Sequence, residues 1–120
     1  MSKLLVQIAT GPENPTRAAL GLLLARAALE GGHTVDVFLG GDAVALLRPA
    51  TLAAAHGVGT GSLREHVDAL VAGGARFHLS KMSSNARAVS PEELGDLEVT
   101  MVLPSRLMEL VFEADRIVTY

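Results

Sequence analysis

The chain has 120 residues, of which 49% are apolar, no cysteine and a formal net charge of −3. That suffices for one domain with a real core, and it excludes disulfides, thiolate metal sites and a cysteine nucleophile. Lys and Arg form no run and aromatic residues are scarce, so nucleic acid is not an expected partner.

The N-terminal "MSKLLVQIAT" is too short in its apolar run for a signal segment, and "ALGLLLARAAL" is broken by Arg26 and too short to span a bilayer. No membrane association and a cytoplasmic location are the expectation. "KLLVQIA", Lys3 to Ala9, is predicted as a buried strand. After the turn "TGPENPTR", Asn14 and Pro15 predict an N-cap and first helical residue. The helix runs through "TRAALGLLLARAALE" and closes at Gly31 and Gly32. "TVDVFL", Thr34 to Leu39, is the second strand, and Asp42 is expected to cap a helix through Leu47. Pro49 ends that helix or starts the next. "GVGTG" is a glycine-rich loop. Ser62 and Glu65 form a capping-box signature for a helix ending at Gly73 and Gly74. "ARFHL" is the third strand, followed by a short helix through "SSNAR". "SPEEL" repeats the cap signature with Ser90. "VTMVL" is the fourth strand, Ser105 is expected to cap the helix "SRLMELVFEA", and "RIVTY" is the fifth strand.

Strand and helix alternate throughout, and the strands are rich in Val, Ile and Leu. This predicts an α/β fold: one domain over residues 1–120, a three-layer α/β/α sandwich with a five-stranded, mainly parallel sheet. The strand order is left open.

In such folds ligands bind beyond the carboxyl ends of the strands. Four polar segments fall there: Thr10 to Asn14; Gly40 to Asp42; Ser80, Ser83, Ser84 and Arg87; and Pro104 to Arg106. Asn14, Asp42 and Ser105 need be no more than caps. Glycines 57, 59 and 61 follow no strand and miss the dinucleotide pattern. The four histidines show no metal-ligand spacing, and His66, beside Glu65 and Asp68, suits a solvated helix face. His78 and Ser80 share one side of a strand, but no carboxylate is obviously placed to orient the imidazole. No metal and no cofactor is implied.

In this order the segments resemble the DsrE/DsrF-like family, the YchN-like fold. The resemblance rests on the opening strand, turn and alanine-leucine helix, then "GGHTVDVFLGGDAV", "FHLSKMSSNARAV", "SPEEL" and "EADRIVTY". It implies that the last strand lies beside the first, and a homo-oligomer, trimer or hexamer. An apolar helix such as Thr16 to Glu30 also asks for more covering than one small sheet supplies. Sulfur-handling members are similar in carrying two cysteines, an arginine and a glycine after the third strand. Those positions fall here on Ser80, Ser83, Arg87 and Ala88. The frame is kept and both sulfurs are missing, so sulfur transfer and peroxide reduction by the chain itself are not expected. The expected function is a non-catalytic binding or regulatory member. Its small-anion pocket would draw on Ser80, Ser83, Ser84, Arg87, Thr10, Asn14 and Ser105, with Ser83 or Ser84 capping the short helix that carries Arg87. The alternatives are a subunit of a sulfur relay, with a partner carrying the cysteine, or an enzyme using pocket serines or a bound cofactor.

Overall fold

Strand β1 (Lys3–Ile8) leads through a turn to Asn14, whose Oδ1 accepts the Arg17 N–H at 3.1 Å. Pro15 fills the first position of helix α1 (Pro15–Glu30), where its missing N–H costs nothing. The structure is a computed structural model and describes all 120 residues. β2 (Thr34–Leu39) is followed by a 3₁₀ helix, Gly41–Leu47, and by α2 (Pro49–Ala54). The glycine-rich stretch is a small antiparallel ribbon, β3 (His56–Gly57) and β4 (Gly61–Ser62). Then come α3 (Leu63–Ala72), β5 (Arg76–Ser80), α4 (Lys81–Ala86), a 3₁₀ turn at Pro91–Leu94, β6 (Val99–Val102), α5 (Pro104–Glu113) and β7 (Arg116–Thr119).

Two cap expectations are corrected. Asp42 lies inside the 3₁₀ helix, whose cap is Gly40. Ser105 lies inside α5, because Pro104 takes the first helical position and leaves Leu103 as a cap without a side-chain hydrogen bond. Ser90 does stand at the cap position of its 3₁₀ turn, with Pro91 first, though without a side-chain cap bond. At α3 the serine half of the signature holds: Ser62 Oγ accepts the Glu65 N–H at 3.4 Å. His66 is not on a solvated face. It is buried, with Nε2 2.6 Å from the Thr60 carbonyl, and so pins the ribbon to α3.

The sheet has five strands in the order β6-β5-β2-β1-β7, every pairing parallel. The last strand does lie beside the first. Successive steps from β1 to β2, β5 and β6 move one way across the sheet. Parallel crossovers are overwhelmingly right-handed, so their helices share one face; the single return step from β6 to β7 puts α5 on the other.

The residues divide accordingly. Val6, Ile8, Val35, Val37, Leu39, Phe77 and Leu79 point to the first face and form the main core with α1, α3 and the 3₁₀ helix. Leu5, Val102 and Leu110 of α5 are buried but stand outside that core. Between them on the second face lie Asp36, His78, Ser80 and Thr100, the alternate residues of β2, β5 and β6. The three layers are therefore unequal, and one ten-residue helix covers the second face. Helix α1 buries Ala18, Ala19, Leu22 and Ala25, while its Leu20, Leu23 and Leu24 are half-buried. Phe112 and Met108 of α5, Leu103 before it and Ile117 of β7 carry the exposed apolar area on the second side.

Candidate functional site

Ser80 ends β5 and caps α4: its Oγ accepts the Ser83 N–H at 3.1 Å. Ser80, not Ser83 or Ser84, is the cap. A hydroxyl two residues inside the helix is then free to reach across, and Ser83 Oγ accepts the Gly41 N–H from the turn after β2 at 2.9 Å. Arg87, at the end of α4, is fixed from both sides. Nη1 donates to the Ser83 carbonyl at 3.2 Å, while Nε and Nη2 reach Asp42 Oδ1 at 3.2 and 3.0 Å. Arg48 Nη2 in turn donates to the Arg87 carbonyl at 2.9 Å. The turns after β2 and β5 are thus laced together. Gly11 brings the turn after β1 against them, since a Cβ there would lie 2.4 Å from the Asp42 carbonyl oxygen.

The expected pocket residues have separate duties. Thr10 Oγ1 donates to the Tyr120 carbonyl at 3.2 Å, and Asn14 is spent on capping α1. Ser84 is 1% exposed and its Oγ has no partner. Ser105 is exposed on α5, on the other side of the sheet. Ser80, Ser83 and Arg87 come together with Asp42 and Gly41. Chemically this cluster holds one guanidinium, half in solvent, whose carboxylate partner is itself exposed. Ala88 follows at φ +54, the left-handed region that L side chains avoid. The position where the family pattern has glycine is therefore one where the backbone asks for it.

On the second face the structure supplies a partner that the sequence reading did not find. His78 Nε2 lies 2.9 Å from Asp36 Oδ1, and Arg76 closes on the same carboxylate with Nε at 2.9 Å and Nη2 at 3.0 Å. Asp36 is 3% and His78 5% exposed. Burial by itself pushes the Asp36 carboxyl up, but hydrogen bonds from His78 and Arg76 and the attraction of the guanidinium outweigh it and hold it below the ordinary carboxylate range. A carboxylate does orient the imidazole, then, but the serine does not complete a triad. Ser80 Oγ is held by the Ser83 N–H and no hydrogen bond joins it to His78. The available signal was a lone acid among valines in "TVDVFL"; turning it into a contact needed the knowledge that β2 and β5 are neighbours.

A protein-family model described as the DsrE/DsrF-like family matches residues 2–120. Among solved structures, the crystal structure of the ychN protein from E. coli is similar with a TM-score of 0.79 at 21% identity, covering 100% of both chains. A conserved protein of unknown function from Bacteroides thetaiotaomicron is similar with a TM-score of 0.73 at 15% identity, covering 99% of this chain and 95% of that one. At such identities the likeness carries the fold. No curated protein matches the chain significantly. No helix is long and apolar enough to cross a membrane.

Proposed function

The chain belongs to the DsrE/DsrF-like family, and on that premise we propose that it is a cytoplasmic, non-catalytic, oligomeric binding member whose ligand carries a small oxyanion to Arg87. The observation behind this reading is the double hold on Arg87. The Ser83 carbonyl keeps the guanidinium in place at the carboxyl edge of the sheet, while Asp42, exposed at the surface, occupies its other side. An exposed ion pair is worth at most about 1 kcal/mol, so an incoming anion displaces Asp42 at small cost. Arg87 then offers a planar fork to a phosphate, sulfate or carboxylate. Serine at positions 80 and 83 keeps the turn's hydrogen bonds and carries no thiolate on which a persulfide could be held.

Phosphate, sulfate and nucleotides are the probes, followed by thermal shift and calorimetry. Arg87→Ala should abolish binding. Asp42→Asn, which removes the internal competitor, should tighten it several-fold. Equal affinity in all three proteins would refute the reading.

The partner in this proposal is a second copy of the chain, in a trimer or hexamer. What supports it is the apolar area left by the single-helix layer, above all Phe112 at 85% exposure. Light scattering behind size exclusion tests it. A wild-type monomer at tens of micromolar would overturn it, as would an unchanged mass in Phe112→Asp.

A further inference from the structure

The same single-helix layer leaves one corner of the sheet open. Beside α5 lies a cleft of about 410 Å³ lined by Arg76, His78, Glu98, Thr100 and Arg106, with backbone and apolar atoms between them. It is on the opposite side of the sheet from α4 and does not involve Ser83 or Arg87. The register places Thr100 directly opposite His78.

The cleft holds unsatisfied groups of both signs. The Asp36 carboxylate only accepts, so the hydrogen between it and His78 belongs to Nε2. While the ring is neutral, Nδ1 carries a lone pair, and this buried atom has no partner in the chain. Glu98, exposed at the rim, takes part in no ion pair among those the chain forms. Both groups call for a donor, and Glu98 calls for a cation. The guanidiniums call for the reverse. Arg76 is spent on Asp36, but Arg106 reaches only Glu109 and Glu113 of its own helix, at 3.3 and 3.7 Å, with 40% of its side chain exposed.

We propose that this cleft binds a small zwitterion of the α-amino acid class, its ammonium shared by Glu98 and His78 Nδ1 and its carboxylate on Arg106 and Thr100. A simple anion would leave Nδ1 without a donor and would face Glu98 and Asp36. A simple amine would face Arg76 and Arg106. Only a ligand with both charges a few ångströms apart answers every group in the lining.

The experiment is a calorimetric and NMR titration of the full chain with glycine, serine, aspartate and lysine, against methylammonium and acetate as single-charge controls. Long-range nitrogen spectra follow the two ring nitrogens of His78. At least one amino acid should bind and shift His78 Nδ1, and both controls should fail at about 10 mM, a concentration that would largely fill a millimolar site. Glu98→Gln and Arg106→Gln, both at the surface and chosen to leave the fold intact, should each weaken binding about tenfold, and Arg87→Ala should not. The proposal is overturned if no amino acid binds, if a control binds as well, if His78 stays unmoved, or if Glu98→Gln binds like wild type. Failure here leaves the Arg87 reading standing, and loss of binding in Arg87→Ala alone would place the ligand at that other site.

Discussion

Replacing Asp36 by Asn tests the buried cluster without changing its shape. The amide keeps one neutral acceptor for His78 and loses the charge that holds Arg76. Hydrogen bonds to a charged group contribute about 1.5–3 kcal/mol, and the neutral acceptor retains part of that. The Arg76 side chain is 60% exposed, so its share is that of a surface pair, about 0–1 kcal/mol. A loss of about 2 kcal/mol follows, or a fall in Tm of about 8 °C for a chain of this length. The pH dependence has a definite sign. The folded carboxyl sits below its ordinary range, so its contribution is complete above the unfolded value and is lost as pH falls through the folded one. The gap between wild type and Asp36→Asn should narrow as pH falls below the ordinary carboxylate range, about 4. Urea titrations at fixed protein concentration, at neutral and acid pH, measure it. A gap below about 0.5 kcal/mol at neutral pH, or one that widens in acid, would refute the reasoning.

Ala88→Gly should stabilise the chain by up to about 1 kcal/mol, because relief at φ +54 outweighs the greater freedom of glycine when unfolded; a lower urea midpoint would count against it. Ser84→Ala removes a buried hydroxyl that has no partner, and should be neutral or stabilising by up to about 1 kcal/mol in thermal melts; a clear loss would reveal a partner for that oxygen. Gly11→Ala drives a Cβ into the Asp42 carbonyl and should cost about 1–3 kcal/mol, seen as a lower Tm; an unchanged melt would mean that the two turns are not held against each other.

The elements and their order were legible because their signals are local. Asn14 before Pro15, Ser62 before Glu65 and the paired glycines each act within a turn of the chain, and each does so in the structure. The parallel sheet followed from alternation. What was hidden depended on strands being neighbours. "TVDVFL" reads as an apolar run, yet Asp36 faces the thinly covered side and meets His78 only because β2 lies beside β5. Pro104 displaced the Ser105 cap by taking the first helical position, and the other misplaced caps go with competing partners. Asp42 is drawn off by Arg87, and Ser80, one residue before the helix, takes the role given to Ser83 or Ser84. The serine cluster was visible as a feature, but which hydroxyl holds which N–H is a matter of geometry across two turns.

The position of β7 beside β1 has a consequence for how the molecule comes into being. β1 meets β2 after a separation of roughly thirty residues, Leu4 opposite Val35, but meets β7 only after more than a hundred, Leu4 opposite Arg116, and loop-closure entropy makes such late pairings the slow ones. A nascent chain can assemble β1, β2, β5 and β6 with nearly all of the main core while one flank of β1 is still bare. That flank is then a row of unpaired N–H and C=O groups, open to any passing strand. The bonds that close it are made only after residue 114 has been added: Asp115 to the Lys3 N–H at 2.8 Å, the β7 ladder, and the Tyr120 N–H to the Gln7 carbonyl at 2.8 Å. A chain cut before residue 115 would therefore keep nearly all of the main core and leave this edge of β1 bare, the edge that residues 115–120 cover.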